Sequence, residues 1–194
     1  MDKYKKIGII SLIIVIAGIF GWVYEFIFYY FNGGMKEFYW RGGNFLPWIN
    51  IYAIGAIGIL IATKKFEKKP LMVFLISMIV TGVIEYIAGY LIFEFEGKRY
   101  WDYNTEILNF GNINGFICLR SVLFFGISGL ILVYLIKPFC IKLSENKNSK
   151  KFMIICLILV SIFLLDEFYN LYFHKLFNLP RAIEIYKSIG FHFM

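Results

Sequence analysis

Side chains that bind metals or act as nucleophiles are scarce in this chain. Cys118, Cys140 and Cys156 are its three cysteines, and they form no CxxC pair and have no histidine nearby. They read as small apolar packing residues, so no disulfide and no metal site is assigned. The sequence also lacks an HExxH element and any Ser/His or Cys/His pair, which weakens an enzymatic reading and leaves no catalytic residue to name. There is no P-loop and no dinucleotide fingerprint. An ATP-driven role therefore needs a separate chain for the ATPase, and no cofactor is implied. Charge is sparse too: 17% of residues, in short clusters rather than along one face, which excludes a nucleic-acid-binding surface despite the net charge of +7.

Apolar residues are plentiful. Hydrophobic side chains make up 60% of the 194 residues and aromatics 21%, with a mean hydropathy of +0.70. A soluble domain of this size does not need that much apolar surface. Five apolar segments, 7–31, 48–63, 71–93, 115–136 and 152–174, predict an all-α integral membrane protein, a single transmembrane domain over 1–194. Most are long enough for a hydrocarbon core about 30 Å thick at about 1.5 Å per residue. The second segment is the shortest. The first follows Lys3, Lys5 and Lys6 but has no small-residue cleavage site, so an uncleaved helix is expected.

Basic residues order these segments. Lys and Arg gather before the first segment, at Lys64–Lys69 and between Lys137 and Lys151, whereas the other two loops hold only Lys36 with Arg41 and Lys98 with Arg99. The positive-inside rule then places the amino terminus in the cytoplasm and the carboxyl terminus outside the cell membrane. The first outer loop, 32–47, is rich in glycine and aromatics, as in a re-entrant or surface-folded segment. The second, Glu94 to Asn114, reads as a structured cap. After Pro180, Ala182, Ile185, Tyr186 and Ile189 share one face, predicting a short interfacial helix over 180–190.

Carboxylates inside the apolar segments are the main anomaly, because a charge at membrane depth is costly to keep. Counted from the nearest cytoplasmic lysine, Glu25 lies about 28 Å deep, Glu85 about 24 Å, Asp166 about 22 Å and Arg120 about 26 Å. Four segments thus place charge in one outer layer. Small residues recur on the acid's face, Ala17 and Gly21 with Glu25, and Ser77, Thr81 and Gly89 with Glu85, which turns these acids into the bundle. Asp166, Asn170 and His174 form a polar stripe edged by Glu167. Two readings stand open: an ion-paired latch between Glu25, Glu85 and Arg120, or a polar cavity that accepts a cationic or polar ligand. Trp22, Trp40, Trp48, Trp101, Tyr100 and Tyr103 read as an aromatic belt, with cation–π binding as the alternative.

Gly21-Trp22-Val23-Tyr24-Glu25, Arg41-Gly42, Leu46-Pro47, Ile51-Tyr52-Ala53-Ile54-Gly55, Glu85-Tyr86, Trp101-Asp102-Tyr103, Asn109 with Gly111, and Ile117-Cys118-Leu119 resemble the CmpB-type ABC-transporter permease family over about residues 20–130. The chain departs from the family's Gly-Pro-x-x-Pro-Ile-Tyr-Gly stretch at Phe45–Ala53 and has Asn104 in place of a serine. The resemblance implies a multi-pass membrane component, an ATPase or other membrane subunit as partner, and a site drawn from Trp22, Glu25, Arg41, Glu85, Trp101, Asp102, Tyr103 and Asn109. Arg120, and secondarily Asp166, Glu167 and Asn170, join on depth alone. The expected function is transport through an outward-facing acidic and aromatic cavity, with Glu25 and Glu85 as ligand-binding or proton-coupling groups, Arg120 as their partner and Asp102 as cap or gate. The alternatives are an intramembrane enzyme acting on lipid head groups and an accessory or assembly subunit.

Overall fold

The computed structural model describes residues 1–32, 39–190 and 192–193. Expectations for the re-entrant loop at 32–47 fall partly on residues 33–38, outside the described ones. The chain is all-α and membrane-embedded, with helices α1 (Lys3–Asn32), α2 (Asn50–Thr63), α3 (Pro70–Glu96), α4 (Leu119–Glu145), α5 (Ser149–Leu176) and α6 (Ala182–Ser188). Four of them, α1, α3, α4 and α5, are long and apolar enough to cross a membrane. The second predicted segment forms α2, which at 14 residues spans only about 21 Å. A two-residue parallel pairing joins Tyr39–Trp40 to His192–Phe193.

Local chemistry sets the helix ends. Pro70 opens α3, where its missing N–H is not needed, and Gly97 ends it in the left-handed region at φ 64°, its N–H donating to Phe93 O at 2.9 Å. Asn148 caps α5 by accepting from Lys151 N at 3.1 Å. Wide π-type turns interrupt α4 at Leu132–Ile136 and α5 at Tyr169–Phe173.

Two compact units result, Met1–Ala53 with Phe139–Met194, and Ile54–Pro138. In the first, α1 and α5 run parallel. Ser149 Oγ donates to Asp2 Oδ2 at 2.6 Å near their amino ends, and further along Gly8 admits the Phe152 ring and Gly18 the Phe163 ring. Val15, Trp48, Ala53, Val160 and Phe163 form the core of this unit, Trp48 meeting Phe163 edge-on at 5.1 Å. In the second unit, glycines let helices close on α3: Gly129 sits against Ser77, Gly126 against Phe74, and on the α2 side Gly58 against Val80 and Ile84.

Candidate functional site

The acids of the apolar segments divide between the two units. In the first, the loop 41–50 is drawn onto the carboxyl-terminal parts of α1 and α5. Gly42 and Gly43, both at positive φ (81° and 74°), turn the chain so that successive donors face one way. Asp166 Oδ1 accepts from Phe45 N at 3.0 Å and Asn170 Nδ2 at 2.9 Å. Its Oδ2 accepts from Leu46 N and from Trp48 Nε1, both at 2.9 Å. Glu167 takes Asn44 Nδ2 at 2.7 Å on one oxygen and Asn50 Nδ2 at 3.0 Å on the other. Both acids are nearly closed to solvent, at 8% and 7% exposure, yet these bonds come from neutral groups. Such donors satisfy buried carboxylates without a counter-charge. Asn170 also accepts from Ala182 N at 2.9 Å and so seats α6, whose Tyr186 hydroxyl donates to Phe45 O at 2.6 Å. Burial raises the Tyr186 phenol above its ordinary range, which keeps it a donor.

Glu25 sits in the same unit under the same loop. Arg41 donates to Glu25 Oε2 through Nε at 3.3 Å and Nη2 at 3.1 Å, and its guanidinium stacks over Tyr29 at 3.8 Å. Tyr52 donates to Glu25 Oε1 at 3.3 Å, its ring lying where a side chain at Gly21 would sit. Trp22 packs against Trp40 at 5.3 Å, with its Nε1 buried and without a hydrogen-bond partner among the described residues.

In the second unit the loop after α3 closes over Glu85. Tyr103 is held by its own backbone, N to Gly115 O at 3.0 Å, with Asn109 Nδ2 donating to its carbonyl at 3.0 Å. Its hydroxyl donates to Glu85 Oε1 at 2.6 Å. Burial, and then the adjacent Glu85, push the Tyr103 phenol far above its ordinary range, so it stays protonated. Asp102 organises the turn, accepting from Asn104 N at 3.0 Å and facing Arg99 at 3.8 Å, while Trp101 Nε1 donates to Phe116 O at 2.9 Å. Gly115, at φ 76°, lets Asn104, Arg99 and Asp102 crowd its backbone. Arg120 pairs with Glu106 and lies over the Tyr103 ring at 5.4 Å. Glu85 is 5% exposed, and its Oε2 has no hydrogen-bond partner among the described residues. Beside it, an apolar groove of about 520 Å³ runs along Met78, Gly82, Tyr86, Ile113 and Val122; Glu85 does not line it.

With that geometry in view, a family model described as "Putative ABC-transporter type IV" matches residues 12–171. The chain belongs to this family. No curated protein and no solved structure matches it.

The sequence grouped Glu25, Glu85 and Arg120; the structure puts Glu25 with Arg41 and Tyr52, Glu85 with Tyr103, and Arg120 with Glu106. Asn44, Trp48, Asn50, Tyr52 and Glu106 were missed as partners. One signal for them was an internal repeat. Val23-x-Glu25-Phe26-Ile27-x-x-Tyr30 recurs as Val83-x-Glu85-Tyr86-Ile87-x-x-Tyr90, and Phe45-x-Pro47 leading to Gly55-x-x-Gly58 recurs as Phe116-x-Cys118 leading to Gly126-x-x-Gly129. Each copy is an acid-bearing helix, a loop and a glycine-paired helix, and in each a tyrosine hydroxyl meets the acid.

Proposed function

We propose that the chain is the permease component of an ABC transporter of the cell membrane, coupled to an ATPase on another chain. Its amino terminus is cytoplasmic, and a cationic or polar small molecule is taken at an outward-facing acidic and aromatic site centred on Glu85. Membership of the family supports the transporter class, the four long apolar helices support the membrane component, and the missing P-loop in these 194 residues supports the division of labour. The distribution of Lys and Arg supports the orientation.

The observation that carries the assignment to Glu85 is its buried Oε2, without a hydrogen-bond partner among the described residues, beside an arginine whose charge is directed at Glu106. When Glu85 is ionised, two acids and one arginine leave one negative charge, which a proton or one positive or hydrogen-bond-donating ligand offsets. The loop bearing Trp101, Asp102, Tyr103 and Asn109 is the cap, and Glu25, Arg41, Trp22, Asp166, Glu167 and Asn170 hold the frame of the other unit. Purification of the tagged full chain from its native membrane in mild detergent tests the reading. Recovery of a P-loop ATPase in stoichiometric amount supports it, and a clean monomer under conditions that keep other ABC complexes intact contradicts it.

A second reading, an accessory subunit whose buried acids serve packing alone, draws on the fully bonded carboxylates of Asp166 and Glu167. It predicts the same partner but no effect of Glu85→Gln on ATP hydrolysis by the complex.

A further inference from the structure

The two copies of the repeat place an acid at the same point of the motif, each on an apolar helix, and then treat it differently. Glu25 has a side chain 21% exposed and receives two N–H groups of one guanidinium. That acid is compensated where it stands. Glu85 is 5% exposed, and its hydrogen bond comes from a neutral phenol, Tyr103. Around it, the loop contributes Tyr103 and Glu106, α4 contributes Arg120 and Ser121, and the part of α2 in this unit, Ile54 to Thr63, contains no titratable residue. Arg120 is ion-paired with Glu106, so the one nearby positive charge is already matched by a negative one. The Ser121 hydroxyl donates to Cys118 O at 2.9 Å. An ionised Glu85 would leave a buried charge whose nearest cation, Arg120, is already paired with Glu106, and whose Oε2 has no hydrogen-bond partner among the described residues.

We propose that Glu85 is a proton-binding site: a neutral carboxylic acid with its proton on Oε2 and its carbonyl Oε1 held by the Tyr103 hydroxyl, while Glu25 stays ionised. The proton is the ligand of the right charge that needs no additional room at a carboxyl whose Oε2 is buried. Loss of the proton leaves a bare charge beneath the 97–118 loop, so deprotonation and seating of the loop oppose each other. This inference rests on the membrane-embedded position of α3 and the geometry around Glu85, not on the permease reading, and its test involves no transport.

An apolar carbodiimide discriminates the two states, because it adds only to the protonated acid. The carboxyl oxygen bonds to the carbodiimide carbon, the proton passes to its nitrogen, and acyl migration gives a stable acylurea with no leaving group. The purified full chain in mild detergent is treated with dicyclohexylcarbodiimide across a pH series, and peptide mass spectrometry reads the adducts. The expected result is an adduct at Glu85 at neutral pH, falling about tenfold per unit above the titration midpoint, and lost in Glu85→Gln. Glu25 carries little or none. Equal labelling of Glu25 and Glu85, or protection of Glu85 by added sodium at constant pH, overturns the proposal, the latter in favour of a metal cation. Because access of the reagent is a separate matter, the infrared carbonyl band of a protonated carboxylic acid is recorded on the same samples. Its loss in Glu85→Gln supports the proposal, and an unchanged spectrum at neutral pH overturns it.

Discussion

Replacing Asp166 with asparagine isolates the hydrogen bonds that hold the 41–50 loop. The wild-type carboxylate accepts four, from Phe45 N, Leu46 N, Trp48 Nε1 and Asn170 Nδ2. An amide keeps one acceptor oxygen and turns an NH₂ group toward the other pair of donors. Whichever way it flips, two partly or fully buried N–H groups lose their acceptor. Hydrogen bonds to a charged group contribute about 1.5–3 kcal/mol each, so Asp166→Asn is expected to cost about 3 kcal/mol at the low end. For a chain of this size about 2–4 °C of melting temperature corresponds to each kcal/mol, giving a fall of about 6–12 °C. Thermal unfolding in mild detergent, followed by tryptophan fluorescence, to which Trp48 on the Phe163 ring contributes, reads the change. A melting temperature within about 2 °C of wild type refutes the claim that this carboxylate anchors the loop.

Tyr103→Phe removes the donor to Glu85 Oε1 and is expected to cost about 1–3 kcal/mol, seen as faster amide exchange across 97–118 with little change at 41–50. Gly129→Ala drives a Cβ into Ser77; a loss of about 1–3 kcal/mol is expected, and Ser77→Gly in the same chain should restore most of the thermal stability. Arg41→Lys keeps the charge but loses the two-pronged contact with Glu25, and a loss of about 1 kcal/mol is expected, read as a lower melting temperature. Asp2 lies below its ordinary range because Ser149 and Lys5 N hydrogen-bond to it. Its contribution is therefore present above the unfolded-state value and fades as pH falls through the folded one, and Asp2→Asn should remove that acid-side dependence from the melting curve.

The helices were legible because apolar length is a strong signal and the basic clusters alternate with it. Trp101-Asp102-Tyr103 was legible as a structured element, since so polar and aromatic a run between apolar segments has to fold on itself. The pairing of charges was not. Depth counting fixes height along a helix but not azimuth, and it set Arg120 level with Glu25 and Glu85 while its ion pair comes from Glu106, a loop residue. Asp166 and Glu167 joined the site on depth alone because their partners are mostly backbone N–H groups and the amides of Asn44 and Asn50, which carry no charge pattern. The repeat would have exposed the asymmetry between Glu25 and Glu85. It relates helices through loops of unequal length, and no constant spacing shows it.

ATP hydrolysis by this chain reconstituted in liposomes with the ATPase that the proposed permease role requires separates an acid that works from acids that hold. The expected result is that Glu85→Gln changes turnover while leaving melting temperature near wild type, and that Glu25→Gln lowers melting temperature while leaving turnover per folded molecule unchanged. Unchanged turnover in Glu85→Gln, with altered turnover in Glu25→Gln, contradicts the assignment of function to Glu85.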